Sequence, residues 1–241
     1  MTGAFKRLSL AGKLMAAGGA ALGALLLVAS LLISVSSGQA VRGLAERYAA
    51  SMTAETAMSV KNDLDDADAV VRAAAGMFSA SYASGQRDRA AYMAQLKPVS
   101  AASKAMLGGW LMFEPNALGD DAAFAGRAEL GSTPSGRFIG YWVRDGETLS
   151  AEQGEDAEFG QAFYTTSFQS GRPAILEPYS DNVADGGQQK QVLMTSITYP
   201  VIAGGKTVGV MGADLALDDI AARLNAMKPF DDGRAMLVSP G

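Results

Sequence analysis

Residues 191–215 read QVLMTSITYPVIAGGKTVGVMGADL, and this stretch decides the fold. Two apolar runs, 191–202 and 207–215, contain the β-branched and aromatic residues that favour strands. The four residues between them, AGGK (203–206), include adjacent glycines, which are typical of a tight hairpin turn. We therefore predict two antiparallel strands that are joined at this turn.

Further strands are predicted on both sides of this hairpin. Upstream, three runs have strand character: MLGGWLMF (106–113), GRFIGYWVR (136–144) and PAILEPY (173–179). A turn that contains Asp-Gly-Gly is predicted at 182–189, before the hairpin. Downstream, we predict a short helix over 218–227 and the start of another strand at 235–240.

Residues 41–82 are predicted to form one long helix, because no proline or turn signal interrupts them. Its apolar residues recur at intervals of three and four and form a seam on one face: Ala57, Val60, Leu64, Ala67, Val71, Ala74 and Phe78. Such a seam pairs in a parallel dimer or packs on the sheet of its own chain, and both alternatives stay open. The acidic residues between 63 and 68 are interpreted as a solvated face.

A second, shorter helix is predicted over 87–96, ending before Pro98. A long helix, a short helix and about five mostly antiparallel strands are typical of the α+β class. The sheet would carry helices on one face. Its open face and the covering loops would enclose a pocket.

An uncharged run of 22 residues, 14–35, is long enough to span a membrane as a helix. Lys6, Arg7 and Lys13 precede it, and basic flanks stay in the cytoplasm. The sequence therefore predicts a single-pass membrane anchor, with the N-terminus inside and the chain after about residue 36 outside. The alternative is a cleaved signal peptide, whose apolar region is usually shorter, about 7–15 residues.

Composition excludes several classes of protein. Cysteine and histidine are absent, which removes thiol nucleophiles, Ser-His-Asp triads and the usual zinc sites. The formal net charge of −5 disfavours nucleic acid as a partner. We expect no enzyme activity, no cofactor and no metal.

Two short segments resemble known binding motifs but lack residues that those motifs require. GKT (205–207) lacks the first glycine of a phosphate-binding loop, since Pro200 stands at that position, and it joins two strands where such a loop would begin a helix. Asp181 and Asp185 lack the order of residues in a calcium-binding loop. Gly209 and Gly212 are interpreted as strand glycines that allow a close approach to the backbone.

Five segments in order carry a family resemblance: WLMFEPNA (110–117), GRFIGYWVR (136–144), EPYSD (177–181), MTSITYPV (194–201) and GKTVGVMGADLAL (205–217). Together they resemble the membrane-distal module of double-Cache sensor domains, and the first two resemble the chemoreceptor branch especially. The resemblance covers residues 14–241. It implies a PAS-like sheet with a ligand pocket, carried on a long helix that continues the first membrane span.

The resemblance also implies which residues form the pocket. In amino-acid-sensing members, an Arg-x-Trp-Tyr segment holds the ligand carboxylate, while Tyr-x-Asp and a later Asp hold the amino group. This chain matches the second half with Tyr179, Asp181 and Asp214. At the first half it reads QAFY (161–164), so that Gln161 replaces the arginine and Phe163 the tryptophan.

A glutamine amide is uncharged and cannot replace the bidentate arginine fork, whereas aspartates and aromatic rings suit an ammonium group. The aromatic candidates for ligand contact are Trp110, Tyr141, Phe163, Tyr164 and Tyr179. Tyr141 and Trp142 alternate along a strand, so at most one of them faces the pocket. Arg144 and Arg172 are the candidates for a replacement carboxylate clamp. Turn roles for the aspartates and core roles for the tyrosines are the competing interpretation.

The predicted function is the ligand-sensing region of a transmembrane chemoreceptor that binds a small amine or quaternary ammonium compound. The alternatives are an amino-acid sensor, the sensor of a histidine kinase or diguanylate cyclase, and a ligand-free structural module. We expect a homodimer whose cytoplasmic signalling domain lies outside this chain. The predicted division is a cytoplasmic N-terminus (1–13), the membrane helix (14–35), a helical stalk (36–82), the membrane-distal module (83–230) and the start of a truncated membrane-proximal module (231–241).

Overall fold

The computed structural model describes residues 9–146, 148–185, 188–227 and 236, which form four α-helices and seven strands. The helices are α1 (Leu10–Ala83), α2 (Arg89–Ala101), α3 (Ala162–Ser170) and α4 (Leu217–Ala226). The strands are β1 (Gly108–Phe113), β2 (Ile139–Asp145), β3 (Thr148–Gln153), β4 (Ala174–Ile175), β5 (Tyr179–Asp185), β6 (Gln188–Ala203) and β7 (Lys206–Ala216).

The strands form one antiparallel sheet in the order β3-β2-β1-β7-β6-β4, and β5 pairs with β6. The predicted hairpin lies at its centre, because β6 ends at Ala203 and β7 begins at Lys206. Gly204 and Gly205 turn the chain with φ of +60° and +76°, values that glycine adopts without steric cost. The α+β class is confirmed.

One face of the sheet is covered by α1 and α2. Except for its first residue, Ala57, which is exposed, the seam of α1 packs there, where Val71 and Phe78 are fully buried against Leu111 and Met211. Of the two alternatives for the seam, packing on the chain's own sheet is the one observed. Full burial of a side chain such as Phe78 contributes about 1.5–3 kcal/mol, which fixes this part of α1 to the sheet.

Three neighbouring strands divide their residues between the two faces by odd and even number. The odd positions Leu111, Ile197 and Met211, from β1, β6 and β7, belong to the core under the helices. The even positions Trp110, Ser196 and Asp214 lie on the opposite face, where their side chains are hydrogen-bonded to one another. Side chains alternate along a strand, so each strand contributes to both surfaces.

The acidic stretch of α1 is only partly solvated, contrary to the interpretation from sequence. Asp63 pairs with Arg223 of α4 at 2.6 Å, and Asp68 accepts a 2.7 Å hydrogen bond from the Tyr199 hydroxyl of β6. These aspartates hold α1 against the rest of the module, and no apolar periodicity could have indicated that.

The predicted end of the second helix was wrong, because α2 continues past Pro98 to Ala101. Leu96 is fully buried on the sheet, and the Ser100 hydroxyl bonds to the carbonyls of Leu96 and Gly109. These tertiary contacts compensate for the backbone hydrogen bond that proline cannot donate.

The strand predictions also need correction. The run 173–179 divides into β4 and the start of β5, and the predicted turn at 182–189 is partly strand because β5 continues to Asp185. The more polar strand β3 was missed. The helix predicted at 218–227 is confirmed as α4, and the strand predicted at 235–240 lies outside the described residues, apart from residue 236.

The described residues up to Ala54 form a compact unit separate from those that begin at Glu55. Among the described residues, α1 is the one helix that is long and apolar enough to cross a membrane, and its apolar window is exposed. This agrees with a membrane-spanning segment in length and composition.

Candidate ligand-binding site

A cavity of about 530 Å³ lies on the sheet face opposite α1 and α2. Its floor is formed by β1, β2 and β7, and its cover by β5, the 3-10 helix Asp156–Gly160 and the start of α3. Five carboxylates line it: Glu152, Glu155, Glu158, Asp181 and Asp214. No lysine or arginine lines it among the residues that the structure describes.

Asp214 is the centre of a hydrogen-bond network on the cavity floor. Its Oδ1 accepts from the Trp110 indole Nε1 at 3.0 Å and from the Ser196 hydroxyl at 2.7 Å. The hydroxyl of Tyr179 lies 2.6 Å from that of Ser196 and 3.4 Å from Oδ1 of Asp214. Side chains from three strands, β1, β5 and β6, therefore meet at the Asp214 carboxylate of β7.

Two glycines make room for the large aromatic side chains of this floor. A Cβ at Gly212 would overlap the indole of Trp110, which is its register partner in the neighbouring strand. A Cβ at Gly108 would overlap the ring of Tyr141 in the same way. The Trp110 and Tyr141 rings therefore occupy the space that side chains at Gly212 and Gly108 would need. The close approach to the backbone that was expected at Gly212 is confirmed.

The surroundings of Asp214 disfavour the charged form of its carboxyl group. Burial raises the pKa of the Asp214 carboxyl, and hydrogen bonds from Ser196, Trp110 and Tyr141 oppose this effect. The nearby Asp181 carboxylate raises the pKa further. A positive charge in the cavity would relieve both the burial cost and the repulsion.

Phe163 links two of the aromatic walls. Its ring is stacked on Tyr179 at 6.0 Å between centroids and meets Trp110 edge-on at 5.4 Å. With Tyr141, these rings border the cavity on several sides. Aromatic faces attract cations within about 6 Å of the ring centroid, so the arrangement suits a cationic group.

Glu158 is a cavity residue that the sequence analysis missed. Its Oε1 accepts a 2.7 Å hydrogen bond from the backbone N–H of Glu155 and completes a capping box at the start of the 3-10 helix. Burial raises the pKa of Glu158 to about 7, against the effect of that hydrogen bond and with help from Asp181 and Asp214. The available signal was the spacing of Glu155 and Glu158, three residues apart.

Six of the seven predicted ligand residues line the cavity: Trp110, Tyr141, Phe163, Tyr179, Asp181 and Asp214. Gln161 lines it as well. Trp142 faces the other side of the sheet, where its indole Nε1 donates to the Met93 carbonyl at 3.0 Å. The strand alternation expected for Tyr141 and Trp142 is observed.

Tyr164 is not among the lining residues of the cavity. It is buried between Phe159 and Phe168, and its hydroxyl donates to Glu114 Oε1 at 2.5 Å. Consecutive residues of a helix point about 100° apart, so Phe163 and Tyr164 cannot both face the cavity. The structure gives Tyr164 a packing contact in place of the expected position.

Neither candidate for a replacement carboxylate clamp lines the cavity. Arg144 donates to the backbone carbonyls of Met106 and Ser103, and Arg172 is exposed beside Ser170. Within the described part of the chain, no group of three or more acidic side chains is arranged to hold a metal ion. The cavity is therefore acidic and aromatic, without a built-in counter-charge among its described lining residues.

A family model and a curated relative indicate the same family. Residues 92–222 match the family described as "Methyl-accepting chemotaxis protein-like, first PDC sensor domain". The methyl-accepting chemotaxis protein TlpQ of Pseudomonas aeruginosa is 36% identical over 141 residues, which cover 53% of this chain and 19% of that protein. The chain therefore spans about a fifth of the length of this curated relative.

Two solved structures have a similar fold. The structure named "Methyl-accepting Chemotaxis protein X" is 30% identical, with a TM-score of 0.61, and the match covers 76% of this chain and 67% of that one. The extracellular domain of the putative histidine kinase mmHK1S-Z2 is 22% identical, with a TM-score of 0.63, and the match covers 79% and 68% of the two chains. The second likeness concerns the fold alone.

Proposed function

Because this chain belongs to the family of methyl-accepting chemotaxis protein-like first PDC sensor domains, we propose that its cavity senses a small amine or quaternary ammonium compound for a transmembrane chemoreceptor. The resemblance to chemoreceptor sensors that the sequence carries is confirmed by this membership. The class of ligand, the membrane topology and the type of output are the parts that are proposed.

The observation that carries the proposal is the charge of the cavity. Five carboxylates line it, and its described lining residues include no basic side chain. Neighbouring carboxylates repel each other, most strongly where one is buried as Asp214 is, and a bound cation removes that repulsion. An anionic ligand would add to the repulsion.

The proposed contacts follow from the geometry of the floor. Asp214 and Asp181 would accept hydrogen bonds from the ligand's ammonium group, or attract a quaternary one by charge alone. Trp110, Phe163 and Tyr179 would bring their aromatic faces to it. Glu158 would contribute a third carboxylate from the opposite wall.

An amino-acid ligand is the nearest alternative. It would bring a carboxylate into a cavity where Gln161 offers only a neutral amide. Arg144 and Arg172 do not line the cavity and so cannot bind that carboxylate there. A missing charge-assisted hydrogen bond lowers affinity by about one to two decades. The proposal therefore favours amines over α-amino acids.

A ligand-free structural module is a second alternative. Such a module would favour an interior closed by apolar side chains. The cavity of about 530 Å³, with its polar and acidic lining, has the size of a small-molecule site.

Calorimetry on the full chain in detergent tests the ligand class. We would titrate choline, betaine, a polyamine and a panel of amino acids into the wild type and into Gln161→Arg. The proposal expects amines to bind to the wild type, and expects Gln161→Arg to weaken them while admitting an amino acid. Micromolar binding of amino acids without binding of amines would overturn it.

The proposal places this sensor in the periplasm, anchored by residues 14–35 in the inner membrane, with 36–82 as the stalk and 83–230 as the ligand-binding module. A sensor of a histidine kinase or a diguanylate cyclase would have a similar periplasmic part, and the downstream sequence of the gene distinguishes these outputs. The expected homodimer stays a prediction.

A further inference from the structure

One short segment carries much of the cavity wall. Glu155, Ala157, Glu158, Gln161 and Phe163 all line the cavity, and all belong to residues 155–163. This wall segment consists of the 3-10 helix Asp156–Gly160 and the first turn of α3. It is not a strand of the sheet, so side-chain contacts must hold it in place.

Asp156 provides the main polar attachment of the wall segment. It is not among the cavity-lining residues, and its carboxylate accepts hydrogen bonds from the Thr133 hydroxyl at 2.8 Å and the Ser135 hydroxyl at 2.6 Å. The Ser135 backbone N–H adds a third at 3.3 Å. Burial acts to raise the pKa of Asp156, but these hydrogen bonds outweigh it and hold the pKa below its usual range.

The loop that carries Thr133 and Ser135 is itself fixed to the core. Arg89, whose side chain is 1% exposed, donates to the Gly136 carbonyl at 2.6 Å and to the Ser132 hydroxyl at 2.8 Å. Gly136 has φ of +96°, and a Cβ there would overlap the carbonyl of Asp121. Asp156 therefore binds to a rigid partner.

A second attachment is less directional. The Arg137 guanidinium lies over the Phe159 ring at 3.3 Å, and Phe159 packs on Tyr164. Stacked groups can slide, whereas three hydrogen bonds to one carboxylate fix its position. Glu158 lies two residues from Asp156, so its place in the cavity depends on this anchor.

We propose that Asp156 is a positioning residue of the ligand site, which holds the wall segment so that Glu158 faces the bound cation. This role rests on the proposed function, because it assumes that the cavity binds a cation. Asp156 itself would not touch the ligand.

The first test measures the wall without any ligand. Hydrogen–deuterium exchange of the full chain in detergent should be faster over residues 155–163 in Asp156→Ala than in the wild type. Asp120→Ala is the matched control, since Asp120 caps another 3-10 helix, Asp121–Phe124, and does not line the cavity. Unchanged exchange over 155–163 in Asp156→Ala would overturn the inference, whether or not any ligand binds.

The second test uses choline as the probe. Asp156→Ala should lower choline affinity about tenfold, and Asp120→Ala should leave it within about twofold. Glu158→Gln should also weaken choline, but add little in the Asp156→Ala background, because both changes remove the same contact. If the losses of choline affinity in the two single variants add up in the double variant, Asp156 does not act through Glu158 and the positioning role is wrong.

The two tests separate this inference from the proposed function. If the wild type binds none of the amines while exchange increases in Asp156→Ala, the ligand class is wrong and the anchoring of the wall by Asp156 stands. If amines bind and Asp156→Ala binds choline like the wild type, the ligand class stands and the positioning role is wrong.

Discussion

Trp110 and Asp214 meet across the boundary between β1 and β7, where the indole Nε1 donates a 3.0 Å hydrogen bond to Oδ1 of the carboxylate. The same oxygen accepts from Ser196 at 2.7 Å. The contact orients an aromatic face and a carboxylate toward the same space. Both kinds of group attract cations, so one pair of residues supplies two attractions.

Asp214→Asn is expected to lower amine affinity about 10- to 100-fold, because it removes the charge that the ligand would meet. Its thermal stability should stay level or rise, since burial raises the pKa of Asp214 and the neutral amide avoids that cost. The amide oxygen can still accept from Trp110. Calorimetry and thermal melts measure the two quantities.

Asp218→Asn is the matched control for that change, because Asp218 is exposed on α4 and does not line the cavity. It should bind like the wild type. A lower melting temperature in Asp214→Asn, together with lost binding, would indicate misfolding and count against a direct ligand contact.

Glu158 predicts a pH dependence near neutrality. Its pKa is raised to about 7 by burial, so the carboxylate loses its charge below that pH. Choline keeps its charge at every pH, and its affinity should therefore rise with pH up to about 7 and then level off. The slope below 7 is at most about tenfold per pH unit.

The free energy of unfolding of the ligand-free protein should fall as pH rises, opposite to the choline affinity. A carboxyl whose pKa is higher in the folded state binds more protons there, so its contribution to stability is complete below its ordinary pKa of 4.5 and is lost as pH rises through about 7. Glu158→Gln should flatten both profiles. A choline profile that keeps its slope in Glu158→Gln would assign the titration to another group.

Gly212→Ala should damage the site through Trp110. The added methyl group would overlap the indole, and overpacking of this kind costs about 1–3 kcal/mol in the free energy of unfolding. A displaced indole also loses its bond to Asp214, so amine affinity should fall. Denaturant unfolding and calorimetry measure both effects.

Gly76→Ala is the comparison for that variant, because Gly76 lies exposed in α1 with no atom near the new methyl group. A glycine-to-alanine change within a helix should raise stability by about 0.5–1 kcal/mol. Equal binding in wild type and Gly212→Ala would remove Trp110 from the proposed contacts.

Arg89→Ala should lower the free energy of unfolding by about 3–5 kcal/mol, because it leaves the Asp121 carboxylate buried without its partner. Arg127→Ala breaks an exposed pair with Glu129 and should cost no more than about 1 kcal/mol. Urea titrations of both variants measure the difference. Similar losses in the two variants would contradict the importance of the buried pair.

A reporter enzyme that is active only in the periplasm should be active when fused after Gln39. We expect the basic residues Lys6, Arg7 and Lys13 to keep the N-terminus inside and the apolar run to carry the chain across the membrane. The mass of the fusion distinguishes a retained anchor from a cleaved signal peptide. Cytoplasmic activity of the fusion would contradict this topology.

The features predictable from sequence were those with a local signature. The β6–β7 hairpin follows from paired glycines between two apolar runs, and the buried face of α1 follows from its three-four spacing. The end of α2 was wrong, because long-range packing of Leu96 and Ser100 outweighed the local effect of Pro98. Strand β3 was missed, since its exposed side chains show little apolar alternation.

The residues of the candidate site were also only partly predictable from the sequence. Asp181, Tyr179 and Asp214 were proposed by resemblance to a motif, and the structure brings all three to one cavity. Glu152, Glu155 and Glu158 also line that cavity, but their acidity in a polar segment looks like any solvated surface. Only the fold brings them to the same cavity as Asp214, so the full charge of the cavity could not be predicted from the sequence.

The odd-even division of β1, β6 and β7 limits how these strands can evolve. Even positions such as Ser196 can be substituted to suit a different ligand without touching the surface under α1, and odd positions such as Ile197 can be substituted for packing alone. Deletion or insertion of one residue within a strand would exchange the two sets, burying hydroxyls under the helices and lining the cavity with leucine and isoleucine. Relatives that sense other molecules should therefore differ in the identity of these strand residues, and change in length only in the loops between them.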